Sequence, residues 1–213
     1  MHLPGRDEVM NMENPLEALG RAAVAASREM AALSPQEKTA ALLLMAAGVR
    51  GAAERIIREN SLDMEEAGKN GRNAAFLDRL LLTPERVEHM ARGMEQVAAL
   101  PDPVGECIRE WTRPNGLHIR QVRVPLGAIG FIYESRGSVT CDAASLCLKS
   151  GNAVILRGGS ESLRTNRVLV AVLRKALAES AVPADALQLL DSGSREEVKQ
   201  LCELDSCLSL IHI

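Results

Sequence analysis

The chain has 213 residues, of which 46% are apolar and 25% are charged, and its formal net charge is −3. This composition supports a sizeable buried core and excludes a disordered acidic tail and a membrane protein. The slight acidic excess argues against a nucleic-acid binder, and an aromatic content of 2% is too low for a base-stacking platform. We therefore expect neither a nucleic-acid nor a membrane partner.

The sequence shows no targeting segment, disulfide framework or metal-binding motif. The opening segment MHLPGRDEVMNMENP has no apolar stretch of the signal-peptide type, and no run of about 18 apolar residues exists. The five cysteines form no C-x-x-C pair, and an odd number argues against full disulfide pairing. The four histidines lack metal-ligand spacing. These features predict a reduced, cytoplasmic protein without a metal.

Residues 1–13 are predicted to be an extension or disordered, with Met12 as an alternative start. Residues 14–103 are predicted to be helical. Ser34, Pro35 and Glu37 form a capping-box pattern, which predicts one long helix through AALLLMAAGVRGAAERIIREN. Thr83 and the proline after it predict another helix, to about residue 99. This half shows no chemical motif and is expected to serve packing.

Residues 104–124 are predicted to form a β-hairpin. Asn115-Gly116 lies between two extended runs, and this dipeptide is a strong hairpin signal. A hairpin that protrudes between domains often serves assembly, so an oligomerisation role is expected.

From residue 125 onward the pattern alternates short apolar strands with helices. Strands are predicted at 128–133, 153–156, 187–190 and 207–213, and helices at 139–149, 161–179 and 194–204. Lys149 and the run Arg195-Glu196-Glu197 are predicted to lie on solvated helix faces. Continuous apolar strands that alternate with helices predict an α/β fold with a doubly wound, Rossmann-like parallel sheet. The last strand is apolar up to the final residue, so the sheet is expected to be truncated.

Two loops are candidates for ligand binding because they follow successive strands at the carboxyl edge of the predicted sheet. The first is Glu134-Ser135-Arg136-Gly137-Ser138, and the second is Arg157-Gly158-Gly159-Ser160-Glu161. Glycines allow a close approach of the backbone, and an arginine suits a ribose or a phosphate. Neither G-x-G-x-x-G nor a P-loop is present. A Gly-Gly turn before a helix is also common as a purely structural feature.

The segment RVPLGAIGFIYESRGSVTCDAASLCLKSGNAVILRGGSE closely resembles the gamma-glutamyl phosphate reductases (glutamate-5-semialdehyde dehydrogenases) of the aldehyde dehydrogenase superfamily. LDRLLLTPERVEHMARGMEQVAALPDPVGE and WTRPNGLHIRQVRVPLG are also similar to this family. The resemblance implies NADPH-dependent reduction of L-glutamyl 5-phosphate to glutamate 5-semialdehyde and phosphate, the second step of proline biosynthesis from glutamate. It also implies a homo-oligomer and coupling to glutamate 5-kinase.

The same resemblance implies the roles of individual residues. Glu134, Ser135, Arg136 and Ser138 would form the edge of the active site. The cofactor NADP(H) would be bound by the remaining candidates, which are Ile132, Tyr133, Arg157, Gly158, Gly159, Ser160 and Glu161.

The chain departs from the family pattern at two places. The family usually has E-[AS]-R-P-N-V-T where this chain has Gly137-Ser138 in place of Pro-Asn. The family's P-R-G-G segment is absent, and the catalytic domain with the nucleophilic cysteine is expected beyond the chain end.

Among the cysteines present, Cys141 is the least certain, since a helix N-terminus lowers a thiol pKa, but it does not match the nucleophile position. We therefore predict no turnover from this chain. The alternative is a catalytically silent NADP-binding or oligomerisation module. A different aldehyde or acyl-CoA dehydrogenase is disfavoured by the E-S-R and R-G-G-S-E loops.

Overall fold

The computed structural model describes residues 15–212. The predictions for residues 1–13 and for a start at Met12 therefore lie outside the described residues. None of the helices in the described part of the chain is long and apolar enough to cross a membrane.

Five helices precede the hairpin. They are α1 (Pro15–Met30), α2 (Pro35–Gly51), α3 (Ala53–Lys69), α4 (Ala74–Leu80) and α5 (Pro84–Ala99). The capping box is confirmed, because the Glu37 amide donates to Ser34 Oγ at 3.3 Å and the Ser34 amide donates to a Glu37 carboxylate oxygen at 2.7 Å. Thr83 caps α5 as predicted, since its hydroxyl accepts from the Arg86 amide at 3.2 Å.

The prediction of one long helix from Ser34 is wrong. Helix α2 ends at Gly51, and Ala52, with φ −103° and ψ 9°, separates it from α3. Glycine lowers helix propensity at this end, and the break lets α2 and α3 each pack against a later helix. Gly48 allows α2 to pack closely against α7, since a Cβ built on it would lie 3.4 Å from Val172 Cγ1. The short helix α4 has no counterpart among the predictions.

The predicted hairpin is present as antiparallel strands β1 (Cys107–Thr112) and β2 (His118–Val122). The Arg113 amide donates to the Leu117 carbonyl at 2.9 Å, and Gly116 has a φ of 84°, which is accessible to glycine at little cost. Trp111 is paired with Ile119 across the two strands. The oligomerisation role of the hairpin remains a prediction.

The main sheet contains β3 (Ala128–Ile132), β4 (Ala153–Arg157), β5 (Leu187–Leu189) and β6 (Leu210–His212), all parallel. Its spatial order is β5-β4-β3-β6, so the chain winds outward from β3 and then returns to the other side of β3. The connecting helices are α6 (Gly137–Lys149), α7 (Leu163–Leu177) and α8 (Arg195–Cys202). The predicted doubly wound α/β fold is confirmed, and its direction reverses between β3 and β6.

The last strand is shorter than the predicted 207–213. It begins at Leu210, because the amides of Cys207 and Leu208 both donate to the Leu204 carbonyl, at 3.1 and 2.9 Å. This turn after α8 contains residues whose apolar character predicts a strand.

The sheet is covered on both faces. Helices α6 and α7 pack together on one face, and α1 contacts β3, β4, β5 and α8 on the other. Residues Val154, Ile155 and Leu156 of β4 are completely buried. Full burial of each such side chain is worth about 1.5–3 kcal/mol, which makes β4 the centre of the core.

Helix α7 begins directly after the second candidate loop, and a residue of α3 holds its first turn. Asp63 accepts hydrogen bonds from the Thr165 amide at 2.8 Å and from the Thr165 hydroxyl at 2.7 Å. The neighbouring Asn60 donates to the Leu80 carbonyl and accepts from the Leu82 amide. Burial raises the pKa of Asp63, although the Thr165 hydrogen bonds oppose this shift. These buried contacts join the N-terminal helices to the sheet layer beside the site.

Candidate functional site

A cleft of about 1170 Å³ lies at the carboxyl ends of β3 and β4, beside the reversal point of the sheet. This is the position at which doubly wound sheets bind ligands. Its wall is made by the loops after β3, β4 and β5, by α8 and by the segment around α4. The lining residues are Arg72, Phe76, Phe131, Ile132, Tyr133, Glu134, Ser135, Val139, Arg157, Gly159, Ser160, Glu161, Gly193, Arg195, Val198 and Lys199.

Most of the residues predicted from the sequence face this cleft. Those that line it are Ile132, Tyr133, Glu134, Ser135, Arg157, Gly159, Ser160 and Glu161. Arg136 and Ser138 do not, since they line a neighbouring pocket of about 460 Å³ against α4 and α5. Gly158 lies behind the cleft. The structure thus separates the predicted active-site edge into two places, while the roles of these residues stay predictions.

Glu161 is the best-connected polar residue of the cleft. One carboxylate oxygen is paired with the Arg72 guanidinium, and the other accepts from the hydroxyls of Ser135 at 3.2 Å and Ser160 at 3.3 Å. Burial acts to raise the pKa of Glu161, but the hydrogen bonds and the charge of Arg72 outweigh it and hold the pKa below its ordinary value. The carboxylate is therefore ionised at neutral pH and ties the two loops together.

Arg157 ends β4 and has a donor without a partner. Its Nε atom is buried and makes no hydrogen bond within the described residues, although the residue lines the cleft. Its carbonyl accepts from the Tyr133 amide at 3.0 Å, so the backbone is held by the neighbouring strand. A buried unpaired donor is costly, which makes Arg157 a candidate for contact with an acceptor on a ligand.

A chain of hydrogen bonds behind the cleft connects both loops to the helices. The Tyr133 and Thr140 hydroxyls lie 2.7 Å apart, and Thr140 donates to Asn166 Oδ1 at 3.0 Å. Asn166 Nδ2 donates to the Ser162 hydroxyl at 3.0 Å, which donates to the Gly159 carbonyl at 3.1 Å. Burial raises the pKa of Tyr133, so its hydroxyl stays neutral.

Gly158 is needed for the approach of this network to the backbone. A Cβ built on Gly158 would lie 2.1 Å from Asn166 Nδ2 and 3.1 Å from Tyr133 Cζ. Any side chain here would displace the network and the loop that carries Arg157 and Glu161.

Sequence reasoning missed several residues of the cleft. Arg72 and Phe76 belong to a half of the chain that showed no chemical motif, and no local signal marks them. Arg195 was assigned to a solvated helix face, yet its side chain also lines the cleft together with Lys199. The prediction for Lys149 is wrong, since this side chain is 5% exposed and donates to the Ala98 carbonyl at 2.8 Å.

No cysteine of the described residues lines the cleft, and no group of three His, Cys, Asp or Glu side chains there is placed to hold a metal ion. Cys141 and Cys147 are buried in α6. Burial raises the pKa of the Cys141 thiol, so the expectation of a lowered value near the helix N-terminus is not met.

A doubly wound sheet with a ligand cleft at its reversal point places the chain among the ligand-binding α/β proteins. The sequence profile of the aldehyde dehydrogenase family matches residues 11–210, and the chain is a member of that family. Membership implies a nicotinamide cofactor. The predicted resemblance and the aldehyde dehydrogenase-like fold class are both confirmed.

Within this family the chain is similar to proteins of one particular kind. It is 50% identical over 186 residues to the gamma-glutamyl phosphate reductase of Geobacillus sp. (strain WCH70), covering 87% of this chain and 45% of the relative. It is 46% identical over 202 residues to the gamma-glutamyl phosphate reductase of Heliobacterium modesticaldum, covering 95% of this chain and 48% of the relative.

Solved structures agree with this likeness. The crystal structure of gamma-glutamyl phosphate reductase from Thermotoga maritima superposes with a TM-score of 0.90 at 36% identity, over 93% of this chain and 48% of that one. The enzyme of the same name from Saccharomyces cerevisiae gives a TM-score of 0.86 at 28% identity, over 93% and 50%. The chain thus spans about half the length of the relatives it matches.

Proposed function

We propose that this chain is the cofactor-binding part of a gamma-glutamyl phosphate reductase. The reaction is the NADPH-dependent reduction of L-glutamyl 5-phosphate to L-glutamate 5-semialdehyde and phosphate, in cytoplasmic proline biosynthesis. The observation that carries the proposal is the identity of 50% over 186 residues with a protein of that name. The cleft supports it, because eight of the eleven residues expected from the resemblance line it.

The residues of the cleft fit a dinucleotide phosphate. The cofactor, when bound, supplies hydride to the acyl group. Arg157 has a buried unpartnered Nε donor, which suits a ribose or phosphate oxygen. Gly159 lets the two loops of the cleft pack closely together, since a Cβ built there would lie 2.7 Å from Ser135 Oγ. Ile132, Tyr133 and Glu134 form the wall at the end of β3, where the nicotinamide and the substrate are expected.

The chain is proposed to bind the cofactor without turnover. The family's reaction needs a thiolate that attacks the acyl phosphate. None of the described cysteines lines the cleft, and the pKa of Cys147 is raised to about 12 by burial. A buried, protonated thiol away from the cleft cannot serve as that nucleophile. Binding without turnover is also the behaviour of the alternative, a silent NADP-binding module.

The hairpin is proposed to join copies of the protein. Its strands expose Ile108 and Val122, and its turn exposes Leu117, at 51%, 42% and 58%. Exposed apolar groups of this kind are typical of interfaces. Coupling to glutamate 5-kinase is also proposed, since acyl phosphates hydrolyse readily in water and direct transfer would protect them.

A chimera tests the proposed reaction. The chain replaces the matched segment of the Geobacillus relative, and the product is assayed in reverse with pyrroline-5-carboxylate, phosphate and NADP. We expect phosphate-dependent NADPH formation by the chimera and none by the chain alone, which still binds NADPH in a calorimetric titration. A matched chimera with Arg157→Ala should bind NADPH more weakly. A chimera that binds NADPH but forms no product would overturn the proposed reaction, and a chain that turns over would overturn the assignment of its role.

A further inference from the structure

Arg72 lies at the rim of the cleft and is held from two sides. It belongs to the turn between α3 and α4, directly after Gly71, whose φ is 72°. Its guanidinium is paired with Glu161, and its Cζ lies 4.9 Å from the centroid of the Phe76 ring. Phe76 and Glu161 both line the cleft as well. A cation stacked on a ring and paired with a carboxylate has a defined position from which it faces a ligand.

The acceptor capacity of Glu161 is already in use. One of its oxygens receives Arg72, and the other receives the hydroxyls of Ser135 and Ser160. A free carboxylate at the end of the second strand of a dinucleotide fold accepts hydrogen bonds from the ribose 2′-hydroxyl and favours NAD, whereas a nearby arginine accommodates a 2′-phosphate. Here the ionised carboxylate of Glu161 is paired with the arginine beside it.

The charge of the cleft also favours a cofactor with a 2′-phosphate. Its lining contains four basic side chains, Arg72, Arg157, Arg195 and Lys199, against two acidic ones, Glu134 and Glu161. An excess of cationic groups around a concave site attracts an anionic ligand. A phosphate monoester, which carries close to two negative charges, gains more from this surplus than a ribose hydroxyl does.

We propose that Arg72 is the specificity-determining residue for the cofactor's 2′-phosphate, which it binds in exchange for, or together with, its contact to Glu161. This inference rests on the proposed function and adds a residue from the N-terminal helices to it. The exposed Ser160 hydroxyl, which donates to Glu161 here, would supply a second donor to the same phosphate by turning its proton away from that carboxylate. The ring of Phe76 keeps the guanidinium at the rim while its partner changes.

Two nucleotides that differ only in the 2′-phosphate test this role. Adenosine 2′,5′-bisphosphate and adenosine 5′-monophosphate are titrated into the 213-residue chain by calorimetry. We expect the bisphosphate to bind more tightly to the wild type. Arg72→Gln should weaken bisphosphate binding roughly tenfold to a hundredfold, the loss that follows removal of a charge-assisted hydrogen bond, and should leave monophosphate binding unchanged.

Three further variants make the result specific. Arg79→Gln removes the same charge from an exposed position of α4 that faces the neighbouring pocket, and should change neither affinity. Glu161→Gln frees Arg72 and should tighten bisphosphate binding. Arg72→Lys keeps the charge without the fork and should restore part of the selectivity, which keeps the test decisive if Arg72→Gln unfolds.

The contrary outcomes separate a failure of the role of Arg72 from a failure of the proposed cofactor binding. Equal losses for both nucleotides in Arg72→Gln, or no loss for either, would overturn the role of Arg72 and leave the cofactor cleft in place. Failure of the folded wild-type chain to bind either nucleotide would overturn the proposed cofactor-binding function and this inference together.

Discussion

Asp63 of α3 caps the first turn of α7 from a distant part of the chain, with its carboxylate 2.8 Å from the Thr165 amide and 2.7 Å from the Thr165 hydroxyl. Helix α7 has no side-chain cap of its own, because Ser162 at its N-cap position makes no capping bond. The N-terminal helices thereby complete the helix that follows the Glu161 loop.

Replacement of Asp63 by alanine should therefore destabilise the protein. The change leaves the buried Thr165 amide and hydroxyl without their acceptor, and loss of a cap with buried donors costs about 1–3 kcal/mol. Urea unfolding followed by circular dichroism measures the loss. Glu66→Ala is the control, since it removes an exposed carboxylate of the same helix. Equal stability of the Asp63 variant and the wild type would contradict the capping role.

Lys38 and Asp102 form a buried ion pair at 2.5 Å, with side chains 2% and 7% exposed. Lys38→Met should cost about 3–5 kcal/mol, because Asp102 would be left buried without this partner. The double variant with Asp102→Leu should recover much of that loss, since it removes both charges. Arg123→Ala at the exposed pair with Glu106 should cost less than about 1 kcal/mol. Additive losses in the double variant would argue against the pair.

Gly158→Ala should damage both stability and cofactor binding. The new methyl group would lie 2.1 Å from Asn166 Nδ2. The chain of hydrogen bonds that begins at the Tyr133 hydroxyl and ends at the Gly159 carbonyl must therefore rearrange. We expect a loss of about 1–3 kcal/mol in urea unfolding and weaker NADPH binding in calorimetry.

The matched control is Gly68→Ala within α3, where a Cβ meets nothing within 4 Å. This change should stabilise the protein by about 0.5–1 kcal/mol, because alanine is the better helix former. If both glycine variants behave alike, the steric argument for Gly158 fails.

Glu88 makes the stability sensitive to acid. Hydrogen bonds from Arg50 and Arg92 lower the pKa of Glu88 from its ordinary value of 4.5 to about 2. Because the folded-state pKa is depressed, the stabilisation is fully present above the unfolded value and is lost as the pH falls through the folded one. As the pH falls from 4.5 to about 2, the urea midpoint of the wild type should therefore decrease more steeply than that of Glu88→Gln.

A control separates this pair from general charge effects. Glu54→Gln removes an exposed carboxylate of α3 and should keep the wild-type profile. Parallel profiles for the wild type and Glu88→Gln would show that the ion pair with Arg50 adds nothing.

Features encoded within a few neighbouring residues were predictable. The caps at Ser34 and Thr83 and the Asn115-Gly116 turn depend on hydrogen bonds and backbone angles that span at most five residues. Strands β3 and β4 were recognisable as wholly apolar runs between helices, and their order along the chain predicted which two loops share a sheet edge.

Features that depend on distant contacts were not predictable in the same way. The break at Ala52 follows from how α2 and α3 pack against α7. Lys149 is buried because the Thr39 hydroxyl and the Ala98 carbonyl accept hydrogen bonds from its ammonium group. An exposed and a buried lysine look identical in a helical pattern. Likewise, the apolar character of Cys207 and Leu208 predicts a strand, but these residues form the turn before β6.

The candidate site combines both kinds of information. Local patterning and family resemblance identified Arg157, Gly159 and Glu161 as candidates, because a loop that follows a strand can be located once the strand is recognised. The approach of Arg72 to Glu161 arises only once the N-terminal helices pack onto the sheet, since the two partners are 89 positions apart in the sequence. No periodicity or motif predicts such a pair, since the two charges come into contact only in the folded chain.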